Sequence, residues 1–177
     1  THHCYNDLAM LRMLPFTEIT QPGSKKELKE LIRTQYNNGK TTYFRLSDHP
    51  HSLDIDVEFG KGVIIKNNSS STTIMTAGPI LQSVIGACNN LDVNIIYFHT
   101  LKPIDKKLIT KFKDTKILII HDAFGLHEAI NEVPGLTTHY YGLPFDKFET
   151  SYGTVNEIQK NIGLDIPSIK TFIQSNI

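Results

Sequence analysis

Near the start of the chain, Leu8, Leu11 and Leu14 fall on one helical face and the run stops before Pro15. That spacing predicts a short helix over 6–14. TEITQPG then alternates like a strand and closes on Pro22-Gly23, a turn signal. Ser24 and Glu27 have the spacing of a capping box, in which the Ser24 hydroxyl accepts from the Glu27 amide and the carboxylate returns to the Ser24 amide. Leu28, Leu31 and Ile32 supply the buried stripe of that second helix, and Asn37-Asn38-Gly39 ends it. TTYFRLS, 41–47, is strand-like in its aromatic and β-branched content. The texture changes over 48–62, DHPHSLDIDVEFGKG, a polar stretch that suits a connector between two folded units.

From Val63 the rhythm becomes strand, helix, strand. VIIK, a polar NNSSS turn and TTIMTAG are followed by Leu81, Val84, Ile85, Cys88 and Leu91 at helical spacing. DVNIIYFHT reads as a strand, and KPIDKKLITKF as a helix with Pro103 near its start and Ile104, Leu108 and Phe112 on one face. KILIIHD is an apolar strand, GLHEAINEV a short helix and TTHYYGL a last strand. Two closing helices are marked by Thr154–Glu157, a second capping-box spacing, and by Asp165 with Pro167 in the first turn; Gly163 separates them. Apolar strands alternating with helices imply an α/β fold, a three-layer sandwich with a mainly parallel sheet, preceded by a helix–strand–helix–strand segment. Crossovers between its parallel strands are expected to be right-handed.

Composition narrows the function class. With 18 basic and 18 acidic residues in 177, no excess field draws the chain to nucleic acid or to an anionic membrane surface. The longest apolar runs, ILII and NIIYF, are too short to span a bilayer and no signal-peptide pattern precedes the first helix, so the expectation is a cytoplasmic protein. Cys4 and Cys88 are expected to be free thiols. Of the histidines, His49 and His51 fall in the polar connector and His99 at a strand end. His121-Asp122 and His127-Glu128 have no recognised ligand spacing, so no metal site is expected. Gly78-Pro79 between strand and helix reads as a turn rather than a phosphate cradle.

The opening THHCYNDLAMLRMLP resembles TH-x-x-x-x-D-x-x-x-L-R-x-x-P, a stretch late in the pyrimidine-binding domain of transketolase-like thiamine-diphosphate enzymes. EITQPGSKKELKELI and TYFRLS continue that pattern in order. FGKGVIIK, TIMTAGPI, NIIYFHTLKPID and YGLPFDKFETSYGTVNEIQKNIGLD resemble the C-terminal domain of the same superfamily, closest to short transketolases and 1-deoxyxylulose-5-phosphate synthase. The match spans nearly the whole chain and its force lies in collinearity, since no single motif is diagnostic. The resemblance implies the end of a pyrimidine-binding domain over 1–48, a linker over 49–62 and a transketolase C-terminal domain over 63–177.

By that resemblance His2 lies beside the reacting thiazolium as a catalytic residue, with His3 as a neighbouring substrate contact. Imidazole suits ketol transfer because it exchanges protons near neutral pH. Adjacent terminal histidines also occur as an expression-tag remnant, but the spacing of His2 to Asp7 and Arg12 favours native sequence. Where the family places a phosphate-clamping arginine after the strand, this chain has Asp48, with Arg45 three residues earlier and, by alternation, on the opposite face. Arg45 and Asp48 are the remaining substrate-binding candidates, with pairing of Arg45 to a carboxylate across the connector as the plainer role. The substitution suggests an unphosphorylated or differently charged substrate. The family also carries a glycine pair before the helix of HDAFGLHEAI; only Gly125 stands here, implying a remodelled loop.

Thiamine diphosphate and Mg2+ are implied for the complete enzyme. The Gly-Asp-Gly segment that anchors them and the activating glutamate are absent from this sequence, so this chain alone is expected to bind no cofactor and to be inactive. Expected partners are a second copy in a homodimer, an N-terminal diphosphate-binding domain or companion subunit, and a small sugar substrate. Two other readings stay open: a β-subunit part of a 2-oxoacid dehydrogenase, and a non-catalytic α/β domain for dimerisation or ligand sensing.

Overall fold

The computed structural model describes residues 4–146, 150 and 152–177. The first elements are α1 (Asp7–Arg12), β1 (Thr17–Thr20), α2 (Lys25–Gln35) and β2 (Thr41–Phe44). After the connector come β3 (Gly62–Lys66), β4 (Thr72–Ala77), a 3-10 turn (Gly78–Ile80), α3 (Leu81–Ala87), β5 (Asn94–Phe98) and β6 (Thr100–Lys102). The chain closes with α4 (Lys106–Lys111), β7 (Lys116–His121), α5 (Leu126–Ile130), β8 (Thr138–Gly142), α6 (Val155–Asn161) and α7 (Ile166–Gln174). The predicted helix near Pro103 starts later, at Lys106. Its cap is Asp105, whose carboxylate accepts from Leu108 N at 3.0 Å and from Gly62 N at 3.2 Å.

Five strands form the main sheet in the order β3-β5-β4-β7-β8. β4 pairs in parallel with β5 and β7, β7 in parallel with β8, and only β3 runs antiparallel, at the edge. Alternation along the central strands sorts their side chains into two cores. Met75, Ala77, Ile96, Phe98, Ile117 and Ile119 meet Leu108 and Ile109 of α4 and Leu126 and Ile130 of α5. On the other face Ile74, Ile95, Tyr97, Leu118 and Ile120 meet Val84 of α3 and Ile169 and Ile173 of α7. The result is the expected three-layer α/β sandwich around a mainly parallel sheet. At about 1.5–3 kcal/mol per fully buried large apolar side chain, these two faces are the main source of stability.

A second, three-stranded sheet has the order β2-β1-β6. β1 runs parallel to β2 with Ile19 opposite Tyr43, and antiparallel to β6 with Ile19 opposite Lys102 and Thr20 opposite Thr100, across a register shift. The opening segment is therefore packed into the later chain: Leu8 and Ile19 are fully buried in the same core as Phe98 and Leu126. The change near residue 48 is a change of sheet with continuous packing across it. Gly125 shows how closely α1 is seated, because it has φ +128° and a Cβ there would stand 2.7 Å from Leu8 Cβ and 3.1 Å from Ala9 N. Its role in the described chain is to let α1 approach α5.

Among the described residues no helix is long and apolar enough to cross a membrane. Cys4 and Cys88 are both free thiols, the first exposed and the second buried.

Gly125→Ala should destabilise the protein by about 1–3 kcal/mol, since it combines an unfavourable φ with a clash against backbone. Urea denaturation measures it, and a loss under about 0.5 kcal/mol would mean that α1 is not held in this position.

Candidate active site

A cavity of about 810 Å³ opens where the chain leaves the carboxyl ends of β2, β4 and β7, with α6 along one side. Open α/β sheets bind ligands at the carboxyl ends of their strands, where loops diverge and leave a crevice. Arg45, Asp48 and His49 enter it from the segment after β2, Asp122 from the end of β7, and Asp7 from the first turn of α1.

Asp7 organises the first half of the site. Its carboxylate accepts from Tyr43 Oη at 2.8 Å and from Arg45 Nε at 3.1 and 3.2 Å. Burial pushes the Tyr43 phenol up to about 12, and the neighbouring Asp7 charge adds to the shift. The Arg45 backbone extends the β1–β2 pairing by donating to Thr20 O at 2.9 Å. The ion pair is with Asp7 of α1, so the carboxylate that holds Arg45 precedes the connector and does not lie across it.

Strand alternation, which predicts opposite faces for Arg45 and Asp48, ends at Phe44; beyond it the backbone is irregular and both residues line the one cavity. Asp48 is 90 % exposed in its side chain and takes His49 Nδ1 at 2.6 Å, a bond that holds its carboxyl below the usual range.

The second half comes from the main sheet. Gln21 follows β1 and is buried; its Oε1 accepts from His121 Nε2 at 2.7 Å and its Nε2 reaches Asp122 Oδ1 at 3.5 Å. His121 therefore carries its proton on Nε2, and burial lowers its pKa to about 4 despite the opposing charge of Asp122. Gly78 is required beside it: its φ is +70° and a Cβ would stand 2.6 Å from the Gln21 amide nitrogen. The Gly78-Pro79 turn is thus a turn, but one shaped around Gln21. His99, also buried, is held down to about 4 by burial.

A separate polar cluster gathers on Glu27, which has no exposed surface. Its carboxylate accepts from Gly23 N at 2.8 Å, Tyr97 Oη at 2.6 Å and Ser24 Oγ at 3.1 Å, with His51 Nε2 3.0 Å away. Burial pushes the carboxyl up, but His51, Tyr97 and Gly23 together outweigh it and hold it below its usual value. The returning bond of the capping box thus goes to Gly23, one residue earlier than the spacing suggests. His51 is no exposed connector residue: its side chain is fully buried, and a Cβ on Gly23 would stand 2.4 Å from its ring.

His2 and His3 lie outside the described residues. Cys4 and Tyr5, which follow them, line the cavity. Among the described residues no group of three His, Cys, Asp or Glu is arranged to hold a metal. Sequence reasoning treated Asp7 only as a spacing mark and Asp122 only as a metal-ligand candidate, and it passed over Gln21. The one signal for Gln21 and Asp122 was their place immediately after a strand, and for Asp7 its place at the first position of a helix.

Comparison with known proteins gives the arrangement a context. No family model matches the chain. A 1-deoxy-D-xylulose-5-phosphate synthase of Thermus thermophilus is 24 % identical over 184 residues, covering 96 % of this chain and 29 % of that protein. A putative transketolase C-terminal section of Methanocaldococcus jannaschii is 26 % identical over 189 residues, covering 96 % of this chain and 58 % of that one. Among solved structures, a split-gene transketolase described as an inactive β4 tetramer superposes with a TM-score of 0.83 at 21 % identity, covering 98 % of this chain and 62 % of that chain. The chain therefore has the fold of a transketolase C-terminal portion, and it spans under a third of the length of the synthase it matches.

Folded His99 and His121 are neutral where the unfolded rings, with pKa near 6.5, take up protons. Unfolding thus binds protons between about pH 4 and about pH 6.5, so their contribution is fully present above that window and is lost as pH falls through it. Urea midpoints should drop by an amount equivalent to about 2 kcal/mol per histidine from neutral pH to about pH 5, and His121→Gln should flatten the profile by about one proton. A profile unchanged by that substitution would show that His121 is solvated in the folded state.

Proposed function

We propose that this chain is the C-terminal portion of a transketolase-like, thiamine-diphosphate-dependent enzyme that transfers a ketol or aldehyde unit between sugar-type substrates. The observation that carries this reading is the structural likeness to a split-gene transketolase over 98 % of this chain, with a cavity at the strand ends where Asp7 fixes Arg45 and Tyr43. In it, residues 1–48 end a pyrimidine-binding unit, 49–62 link it onward, and 63–177 form the C-terminal domain.

Thiamine diphosphate, when bound, supplies the carbanion chemistry. The described residues of this chain do not fit its diphosphate and Mg2+: no three potential ligands converge among them, and the sequence contains no Gly-Asp-Gly. That part of the site belongs to an N-terminal unit or a companion chain, and the likeness to a split-gene transketolase supports the companion. What this chain contributes is substrate orientation. His2 moves protons on substrate oxygens, His3 adjoins it, and Arg45 and Asp48 border the cavity from the β2 end.

Exposed Met13 and Phe16, 85 % and 91 % accessible at the end of α1, support a contact with such a partner or with a second copy in a homodimer. A cytoplasmic setting accords with the absence of long apolar helices among the described residues.

Two measurements test the proposal. Calorimetry of thiamine diphosphate and Mg2+ against this chain alone should show no saturable heat; binding tighter than about 10 µM would contradict the division of labour. When a diphosphate-binding partner completes the enzyme, ketol transfer should appear, and Asp7→Asn should lower kcat/KM about 100-fold by releasing Arg45 and Tyr43. Unchanged kcat/KM would remove the cavity from the mechanism.

A further inference from the structure

The charges around the cavity are unbalanced. Three carboxylates, Asp7, Asp48 and Asp122, line it, and among the described lining residues Arg45 is the one fixed cation. The guanidinium is already matched, since its Nε lies on both oxygens of Asp7. Among the described lining residues this leaves a net two negative charges with His49 neutral and one with it protonated. Asp122 lies 3.5 Å from the Gln21 amide nitrogen, a long contact that connects it to His121 in the buried floor. Its side chain is 28 % exposed, so it presents an acceptor to the cavity.

A phosphate ester placed here would bring up to two more negative charges among carboxylates that, among the described lining residues, have no spare cation. Its repulsion is only partly screened, because Asp7 and Asp122 stand back from bulk water. A polyhydroxylated chain meets the opposite situation. Its hydroxyls donate to carboxylates and accept from the terminal N–H groups of Arg45, a pairing that carboxylate and guanidinium make well with adjacent hydroxyls. The apolar side chains of Val155, Ile158 and Ile162 along α6 give its C–H face a dry wall.

We infer that the cavity takes an uncharged, polyhydroxylated sugar end in preference to a phosphorylated one, with Asp122 as a hydroxyl acceptor contributed by the main sheet. The inference rests on the preceding reading only in taking this cavity as the substrate site. It names the substrate class there, and it makes Asp122 a specificity-determining residue on the opposite side from Arg45.

The test is a binding comparison on the full chain, separate from turnover. D-ribose and D-ribose 5-phosphate, which differ only by the phosphoryl group, are titrated into isotopically labelled protein and followed by the NMR signals of Tyr43, Asp48 and Asp122. D-ribose should shift these signals at tens of millimolar, with the ester about tenfold weaker. Exposed Asp48→Arg should bring the ester at least to parity without unfolding the chain, and Asp122→Asn should weaken D-ribose about fivefold. The inference is overturned if the ester binds wild type as well as or better than D-ribose, or if D-ribose leaves the cavity signals unmoved. It is also overturned if Asp122→Asn leaves D-ribose binding intact. Failure of the ketol-transfer reading would instead appear as absent turnover in the completed enzyme, with this binding preference still measurable.

Discussion

Between the two sheets runs a seam in which polar side chains are withdrawn from water and must satisfy one another. β1 hydrogen-bonds to β6, Gln21 N donates to His99 O at 2.9 Å, and the Gln21 amide engages His121. A few residues on, Glu27 draws Gly23, Ser24 and Tyr97 onto one carboxylate. A buried carboxylate without partners would cost several kcal/mol, so these contacts stand or fall together. They also set register: slipping β1 by one residue would turn Ile19 out of the core and carry Gln21 away from His121.

The cavity follows from this seam. Because β1 is pinned against β6, its parallel neighbour β2 ends level with the crevice at the end of β7, so that Arg45 and Asp122 line the same space from different sheets. Neither sheet alone would make the site. The connector shares the arrangement: His51 N donates to Gly23 O at 2.8 Å, and its ring fills the space that Gly23 leaves. A stretch with almost no regular structure is thereby fixed two residues beyond His49, which lines the cavity. Lys26, bridging Asp54 and Asp56 at the surface, adds little, since exposed ion pairs are screened.

Much of the layering was legible in the sequence because it depends on period. Strict apolar runs such as ILII and the capping signals at Ser24, Thr154 and Asp165 mark elements through local chemistry, and the structure places caps at all three. Long-range placement has no such local signature. Nothing near Thr100 announces a strand that leaves the main sheet to join β1, and nothing near His51 distinguishes a buried histidine from a solvated one. Arg45 and Asp48 show the limit of periodicity. Alternation applies only while the strand lasts, and one residue past its end a rule about faces predicts nothing. Asp7, Gln21 and Asp122 were hidden for a related reason: each is an ordinary polar residue at an element boundary, and only the meeting of distant boundaries makes them a site.

The seam and the cavity also share an electrostatic logic. Gln21 can reach Asp122 only while its Oε1 faces the Nε2–H of His121, a donor that both the neutral Nε2–H tautomer and the imidazolium supply. Burial alone disfavours the imidazolium, and Arg45 nearby disfavours it further, whereas Asp122 favours it. Burial wins because Asp122 spends its charge partly toward the open cavity, where water and ligand hydroxyls can answer it. The same carboxylate is thus too solvated to charge the histidine beneath it and still faces what enters above. The acceptor is oriented through one amide turned the right way by a glycine that leaves it room.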